Sequence, residues 1–309
     1  MADSISTRLY EPEMIGDVAG LFAAEYGRPQ LAEAARLTAV FESSAQQRAV
    51  RVVALRSKAI VGFQSYLDWP VRIAGSLSET TPTFQSGNSI VSSDARGEGI
   101  FGKLLRFDCD ELAKSTKIGF PVAASFPGFI RAGWTNPFDL TWWALPSLKP
   151  IAHNRQAESY GTPQGILSFE GSEHFRAWRR DCRLGMPNSI DLPINGGSGY
   201  AEVRIEHRTI PYIRKSIRVG VVGAIRADST GATTNSSGLE EAVRFLRAQK
   251  TAMVTIAVNS LSREQANICR SVGFKETGRR IRFIAKDYGH LLGLGWDRWN
   301  VFRGDIDTW

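Results

Sequence analysis

Strand-like and helix-like spacings of apolar residues alternate along this chain. Residues 51–67 hold two mainly apolar runs around the turn residues Ser57 and Lys58, a pattern that predicts a β-hairpin. Residues 83–93 read as a further strand, and residues 100–114 place apolar side chains on one helical face. The first half therefore predicts helices packed on a sheet, which is an α/β class of fold.

The flanking segments extend this pattern. Residues 17–43 predict two opening helices, and residues 120–126 and 140–145 predict two later strands. A short helix that ends at Gly133 and Trp134 separates those later strands, because glycine commonly ends a helix.

The second half repeats the same order of elements. Gly273 and Phe274 end a predicted helix, 140 residues after Gly133 and Trp134. That helix begins at a capping box, Ser262 to Gln265. The other predicted elements of this half are strands over 201–206, 217–226 and 253–258 and a helix over 238–249. We predict two α/β halves, residues 1–148 and 149–309, each a mixed, mostly antiparallel sheet flanked by helices.

A glycine-rich loop lies between the strand at 83–93 and the helix that follows it. Its sequence is Arg96-Gly97-Glu98-Gly99-Ile100-Phe101-Gly102. Such a turn leaves backbone N–H groups free to bind a phosphate. A dinucleotide fingerprint would need an acidic residue about 20 positions later, but residues 112–138 contain no Asp or Glu. A P-loop would need Ser or Thr after Lys103, where the chain has Leu104.

The same loop resembles motif A of the GNAT acyltransferase superfamily, [QR]-x-x-G-x-[GA]. Arg96 and Gly99 match its first and fourth positions, whereas Phe101 stands where the family has Gly or Ala. The order of elements over residues 5–146 is also similar to a GNAT core. The resemblance implies acetyl-CoA or another acyl-CoA as donor and no metal. It implies these cofactor-contacting residues: Val91, Ser92, Ser93, Arg96, Gly97, Glu98, Gly99, Ile100, Phe101, Gly102, Ser125 and Phe129.

The second half has no such glycine turn, since residues 228–237 form a polar loop instead. We therefore expect one acyl-CoA site, in the first half, and a degenerate second half that contributes to the acceptor cleft.

Catalytic groups are harder to read from the sequence. Many GNAT enzymes have a Tyr that acts as the acid at the position of Phe129 and a Glu that acts as the base at the position of Gln85. This chain therefore lacks both of these groups. We predict Asp68, Glu79 and His290, which lies near Tyr288, as candidates for the base, and Gln85 as a residue that contacts the acceptor.

The last fourteen residues contain three Trp and three Asp. Aromatic rings and carboxylates together bind sugars, so we predict that Trp299, Asp305 and Asp307 contact the acceptor. The layout resembles tandem GNAT-type N-acyltransferases of nucleotide-linked aminosugars in surface-polysaccharide pathways. Alternatively, these Trp side chains close the core of the second half.

The net charge of +7 adds one candidate surface. Arg176, Arg179, Arg180 and Arg183 recur at helical spacing, as expected for a site that attracts polyanions or for a solvated helix face. The sequence lacks a long run of Lys and Arg residues, which would favour binding to nucleic acid. The chain has no apolar run of about 20 residues, no signal-peptide pattern and no C-x-x-C motif, which predicts a cytoplasmic protein without membrane insertion.

We predict transfer of an acyl group from acyl-CoA to a primary amine, on a nucleotide-linked aminosugar. Two alternatives stay open. One is a tandem transferase that uses aminoacyl-tRNA, and the other is an acyl-CoA sensor without turnover. The sequence leaves self-association undecided.

Overall fold

The computed structural model describes residues 4–73, 82–151, 167–169, 172–182, 188–194, 199–209, 214–227, 236–287 and 295–306. The α-helices are α1 (Ile15–Tyr26), α2 (Gln30–Phe41), α3 (Ile100–Arg106), α4 (Asp110–Ala113), α5 (Phe126–Arg131), α6 (Glu173–Asp181), α7 (Ser236–Ala248) and α8 (Arg263–Val272). The strands are β1 (Ile5–Leu9), β2 (Val50–Arg56), β3 (Ala59–Asp68), β4 (Val71–Ile73), β5 (Thr83–Val91), β6 (Thr116–Gly119), β7 (Thr135–Pro146), β8 (Leu167–Phe169), β9 (Ile190–Ile194), β10 (Gly199–Thr209), β11 (Ser216–Ala227), β12 (Met253–Asn259), β13 (Lys275–Lys286) and β14 (Trp299–Asn300).

Eleven of the described strands form one continuous sheet. Their order is β1-β2-β3-β5-β6-β13-β7-β12-β11-β10-β9. The pairs β5–β6 and β11–β12 run parallel, and the other neighbours run antiparallel. The described strands β4, β8 and β14 form a smaller sheet. The predicted α/β class with a mostly antiparallel sheet and flanking helices is confirmed.

The two predicted halves exchange strands at the centre of the sheet. Strand β13 from the second half lies between β6 and β7, and strand β7 from the first half lies between β13 and β12. Phe283 of β13 pairs with Phe138 of β7, and their rings stack with centroids 4.3 Å apart. Each half thus supplies a central strand to the other, so the sheet does not separate into two independent sheets.

The order of elements repeats around this centre. Helix α3 follows β5, and α5 lies between β6 and β7. Helix α7 follows β11, and α8 lies between β12 and β13. The two parallel pairs occupy equivalent places, one on each side of the exchanged strands.

The sheet buries both of its faces. On one face, Phe63 and Leu67 pack against Phe22 and Leu37 of α1 and α2. On the opposite face, residues of α3 cover Tyr66 and its neighbours, in a cluster with Ile100, Leu104 and Trp134. A third cluster packs α7 and α8 on the second half, with Val203, Leu239, Leu246 and Val272 among its members.

Most sequence-based elements agree with the structure, including the hairpin at β2 and β3, helices α1, α2 and α7, and strands β10, β11 and β12. Ser262 caps α8 by accepting from the Gln265 backbone N–H at 3.3 Å, although the Gln265 side chain accepts from Asn259 instead of completing the box. The short helix ends as predicted, at Gly133 with φ of 86°.

The predicted helix over 100–114 is interrupted. Phe107 leaves the helical region with ψ of 135°, and Cys109 is fully extended. Asp108 Oδ1 accepts from the Cys109 backbone N–H at 3.1 Å. Such a local side-chain bond competes with the helical hydrogen bond, which explains why helical spacing alone overran the end of α3.

The predicted strand over 120–126 is wrong. The strand in this region is β6, Thr116–Gly119, and Ser125 instead bonds back to Val122 in a turn. Lys117 concealed this strand from pattern analysis because it is charged yet buried in β6. Its Nζ donates to Leu112 O at 2.7 Å and to Asp287 Oδ2 at 2.5 Å, which compensates its desolvation.

Within the described part of the chain, no helix has the length and apolar character needed to cross a bilayer.

Candidate functional site

The parallel strands β5 and β6 separate part-way along their length. They pair from Thr83 with Thr116 to Ser86 with Gly119. Strand β6 ends there, while β5 continues to Val91. Beyond Ser86, β5 has no β6 partner among the described residues. We call this opening between the two strands the first gap. A gap of this kind exposes backbone groups to a ligand placed between the strands.

A β-bulge lies on the β5 side of the first gap. Strand β3 advances two residues, from Phe63 to Ser65, while β5 advances three, from Gly87 to Ile90. Asn88 carries the extra turn with φ of 49°, a conformation that Asn tolerates better than most residues. Bulges redirect the backbone locally and are frequent beside active sites.

Buried hydrogen bonds hold this bulge. Ser65 Oγ donates to Gly87 O at 2.9 Å, and Gln64 Nε2 donates to Ser86 Oγ at 3.0 Å. On the helical side, Arg36 Nη1 of α2 donates to Asn88 Oδ1 at 3.3 Å. The sequence analysis missed Ser65, Asn88 and Arg36, since only the strand register brings them together.

The glycine-rich loop follows the bulge directly. Gly97 and Gly99 have φ of 91° and 74°, in the left-handed region that favours glycine. A Cβ added at either residue would meet no atom within 4 Å, so the loop faces open space. Because Gly99 is the N-cap of α3, the free amides of the first turn face the same opening.

Two ion pairs anchor the loop. Arg96 Nη2 pairs with Glu25 of α1, and the Ser93 backbone N–H donates to the same carboxylate at 2.7 Å. Glu98 pairs with Arg56 at the end of β2. Glu25 gave no signal in the sequence, because it lies 71 positions before Arg96.

Phe101, the departure from the motif, has a structural role. Its ring meets that of Phe129 edge-on, with centroids 5.3 Å apart. The ring also lies directly over Gly128, where an added Cβ would come within 2.6 Å of Phe101 Cδ1. Phe101 therefore fixes α3 against α5, and Gly128 leaves the room for it.

The substitution Gly128→Ala should disturb the loop through this contact. Overpacking should lower the free energy of unfolding by about 1–3 kcal/mol and weaken acyl-CoA binding, because Phe101 must move and carry α3 with it. Urea unfolding and calorimetric titration with acetyl-CoA measure both effects. Gly16→Ala is the matched control, since Gly16 is also helical and a Cβ there meets nothing within 4 Å. Equal behaviour of the two variants would contradict the packing argument.

Solved structures share this architecture. A probable N-acyltransferase from Enterococcus faecalis matches over 92% of this chain and 72% of its own, with 11% identity and a TM-score of 0.62. A GCN5-related N-acetyltransferase from Anabaena variabilis matches over the same shares, with 11% identity and a TM-score of 0.63. Eis1 from Mycobacterium abscessus matches over 92% and 73%, with 12% identity and a TM-score of 0.55.

This chain has the GNAT fold. At this level of identity the likeness concerns the fold alone. No protein-family model matches the sequence, and a search of curated proteins gave no match.

A second gap, equivalent to the first by position in the repeat, opens between β11 and β12. These strands pair from Val219 with Met253 to Val222 with Ile256, after which β11 continues to Ala227. Here the chain itself occupies the gap. Phe302 forms a β-bridge with Val258, and a Cβ on Gly304 would lie 2.9 Å from the backbone carbon of Gly223. The described part of this chain thus presents two such gaps, and residues 302–305 fill the second.

A buried ion pair holds this segment in place. Asp305 pairs with Arg226 of β11, and their side chains are only 3% and 9% exposed. Burial alone would lower the pKa of Arg226, but the nearby Asp305, with Tyr200 and Glu202, outweighs it and raises the pKa, so the guanidinium stays charged. Asp305 Oδ2 also accepts from the Phe302 backbone N–H at 2.8 Å.

Gln85 connects the same segment to the first half. It is fully buried, and its Nε2 donates to the backbone carbonyl of Asp305 at 2.9 Å. The position where many GNAT enzymes carry a base is therefore used here as an anchor for the C-terminal segment.

Other predicted site residues have structural partners. Asp68 accepts from Arg48 Nε at 3.0 Å and Nη2 at 2.6 Å, a bidentate pair that favours the carboxylate but occupies its oxygens. Trp299 is 1% exposed and packs against Phe283 and Trp296, so its ring has no free face for a sugar. Trp299 thus closes a core, as in the alternative interpretation, but it is the core on the α1 and α2 face and not the core of α7 and α8 in the second half.

Several predicted residues lie outside the described residues: Glu79, Tyr288, His290 and Asp307.

Tyr66 lies beneath α3, but burial raises the pKa of its phenol and its hydroxyl donates to Leu104 O, which suits a structural role. Among the described residues, no group of three or more His, Cys, Asp or Glu side chains is arranged to hold a metal ion.

Proposed function

We propose that this protein transfers an acyl group from acyl-CoA to a primary amine. The observation that carries the proposal is the contrast between the two gaps. The first gap lies beside a β-bulge and above an open glycine loop, whereas residues 302–305 fill the second. One donor site per chain follows, in the first half.

The glycine-rich loop and the first gap would each bind a different part of the acyl-CoA donor. Backbone amides at Gly97, Glu98 and Gly99 would bind the pyrophosphate, and the pantetheine arm would continue between β5 and β6. The thioester would then lie beside the bulge at Asn88. A backbone N–H there would stabilise the oxyanion that develops on the thioester carbonyl.

Chemistry follows from this placement. The amine nitrogen attacks the thioester carbon and forms the amide C–N bond, while the C–S bond breaks. The proton that the nitrogen loses passes through water to the thiolate sulfur, so that CoA leaves as the thiol. Positioning and oxyanion stabilisation supply catalysis at this site. The ion pair that holds Asp68 makes it a weak candidate for the base.

The acceptor that we propose is a nucleotide-linked aminosugar, within a tandem GNAT arrangement whose second half is degenerate. Two features support an anionic acceptor. The chain carries a net charge of +7, and the face of the sheet that holds α6 and β10 contains seven of its arginines: Arg176, Arg179, Arg180, Arg204, Arg208, Arg226 and Arg303.

Calorimetric titration with acetyl-CoA tests the donor, with NADH and ATP-magnesium as controls. We expect saturable binding of one acetyl-CoA per chain and no heat from either control. Binding of NADH or ATP alone would replace this proposal with a dinucleotide or P-loop site.

Release of free CoA thiol tests the reaction. We expect a colorimetric thiol signal that depends on a nucleotide-linked aminosugar and is weaker with the free aminosugar. Acetyl-CoA binding without thiol release from any amine would favour the sensor alternative. Absence of acetyl-CoA binding together with salt-dependent binding of aminoacyl-tRNA would favour the tRNA-dependent alternative.

A further inference from the structure

Helix α6 buries an arginine that the donor site does not use. Arg179 is 9% exposed, and its Nε and Nη2 have no hydrogen-bond acceptor among the residues that the structure describes. Roughly 90% or more of buried polar groups in native proteins are bonded, so two orphaned donors on one guanidinium need an explanation. An anion that binds from solution would provide one.

The orphaned atoms define which ligand fits. Nε and Nη2 share one edge of the guanidinium, and together they form a two-pronged donor that matches the oxygens of a carboxylate or phosphate. In other arginines of this chain, the same edge of the guanidinium donates hydrogen bonds to a carboxylate. Arg48 binds Asp68 at 3.0 and 2.6 Å, and Arg208 binds Glu206 at 2.9 and 2.6 Å. Arg179 presents the same edge with no oxyanion on it.

Two indoles beside Arg179 offer further donors. The Arg179 Cζ lies 5.3 Å from the centroid of the Trp69 ring, and the rings of Trp69 and Trp178 lie 6.0 Å apart. The Nε1 atoms of both indoles are buried, and no described residue accepts a hydrogen bond from them. Trp134 also has an orphaned Nε1, so an indole alone marks no site. Here two indoles coincide with an orphaned guanidinium edge.

The nearest carboxylate is committed to other partners. Glu202 interacts electrostatically with Arg179 but makes no hydrogen bond to it. Glu202 Oε1 accepts from Ser189 Oγ at 2.9 Å, and Oε2 lies against Gly304. Burial raises the pKa of Glu202, which weakens it further as a counter-ion.

Arginines outnumber carboxylates around this point. Asp191 pairs with both Arg176, at 2.9 Å, and Arg180, at 2.7 Å. Glu206 likewise pairs with both Arg204 and Arg208. Burial, together with the positive charges of Arg204 and Arg179, lowers the pKa of Arg303 to about 10. Among the described side chains of this region, the arginines therefore share few carboxylates.

The site lies on the face of the sheet opposite helix α3. Trp69 follows β3 directly, and its backbone N–H donates to Thr83 O at the start of β5. Trp69 and Trp178 belong to the same core as Ile90 at the bulge, on the α1 and α2 face. Helix α3 and the loop lie on the opposite face.

We propose that Arg179, with Trp69 and Trp178 beside it, binds an oxyanion, either a carboxylate or a phosphate. The site deepens the proposed function, because there the ligand would be an acidic group of the acceptor. Anion binding itself does not depend on acyl transfer.

Thermal unfolding with acetate or phosphate tests this site, against sodium chloride at the same ionic strength. We expect the unfolding temperature of the unmodified protein to rise with at least one of the two anions, since a ligand that binds only the folded state stabilises it. The anion that is effective distinguishes a carboxylate ligand from a phosphate ligand.

Arg179→Lys should weaken the apparent affinity for that anion at least about tenfold, because lysine keeps the charge but lacks the two-pronged edge. Trp69→Phe should weaken it less, by removing one N–H while keeping a ring. Arg208→Lys is the matched control, because Glu206 already occupies its edge, and it should respond like the unmodified protein.

No anion-dependent rise in the unmodified protein would overturn the proposal, as would an identical rise in the Arg179 and Trp69 variants. Acetyl-CoA titration of the same proteins separates the two claims. Retained acetyl-CoA binding shows that a variant is folded, and an anion response without acetyl-CoA binding would leave the oxyanion site standing while refuting the donor site.

Discussion

Replacement of Gly99 by glutamate is expected to abolish measurable acetyl-CoA binding. Gly99 has φ of 74° and open space where its Cβ would be, so the new carboxylate would project into the loop opening. A negative charge there repels the pyrophosphate and competes for the same amides. An affinity loss of about 100-fold or more follows, since about 2.7 kcal/mol of lost interaction corresponds to that factor.

Backbone strain must be separated from charge in this experiment. A non-glycine residue in the left-handed region costs about 1–2 kcal/mol. Gly278→Glu is the matched control, because Gly278 has the same φ of 74° and equally open space, in β13. It should lose similar stability and keep its affinity for acetyl-CoA in calorimetry. Undiminished affinity of the Gly99 variant would remove the loop from the donor site.

Asp305→Ala should destabilise the protein far more than the loss of a carboxylate from an exposed ion pair. It leaves Arg226 buried without the carboxylate that pairs with it and removes the acceptor for the Phe302 backbone N–H. Breaking a buried pair from one side costs about 3–5 kcal/mol, because the remaining charge is desolvated without compensation. Urea unfolding should show this loss in the free energy of unfolding.

An exposed pair supplies the comparison. Arg8 and Glu11 lie 3.5 Å apart with side chains 51% and 59% exposed, so Glu11→Ala should cost about 0–1 kcal/mol. The double variant Asp305→Ala, Arg226→Leu should recover much of the single loss, because no unpaired charge remains. Comparable losses for Asp305→Ala and Glu11→Ala would show that residues 302–305 do not depend on the pair.

The second gap explains why two similar halves would give one donor site. Both gaps arise where a parallel pair of strands ends, at Ser86 and at Val222. The glycine loop follows only the first. Residues 302–305 fill the second gap, and the Asp305 variant tests what keeps them there.

The sequence pattern predicted the helices and strands whose limits depend on neighbouring residues in the chain. The hairpin of β2 and β3 follows from two apolar runs around Ser57, and helix α8 follows from its cap at Ser262 and its glycine stop at Gly273. The exceptions have tertiary causes. Lys117 is buried in β6 only because Leu112 and Asp287 satisfy its ammonium group, and no local pattern contains those partners.

The sequence by itself determined the α/β class, the repeated order of elements and the position of the glycine loop, because apolar periodicity and glycine conformations act over a few residues. Only the tertiary structure decided the exchange of β7 and β13, the partners of Gln85 and Asp305, and the burial of Trp299. Each of these depends on contacts between residues far apart in the chain, and such contacts are set by strand register and by packing across the whole sheet.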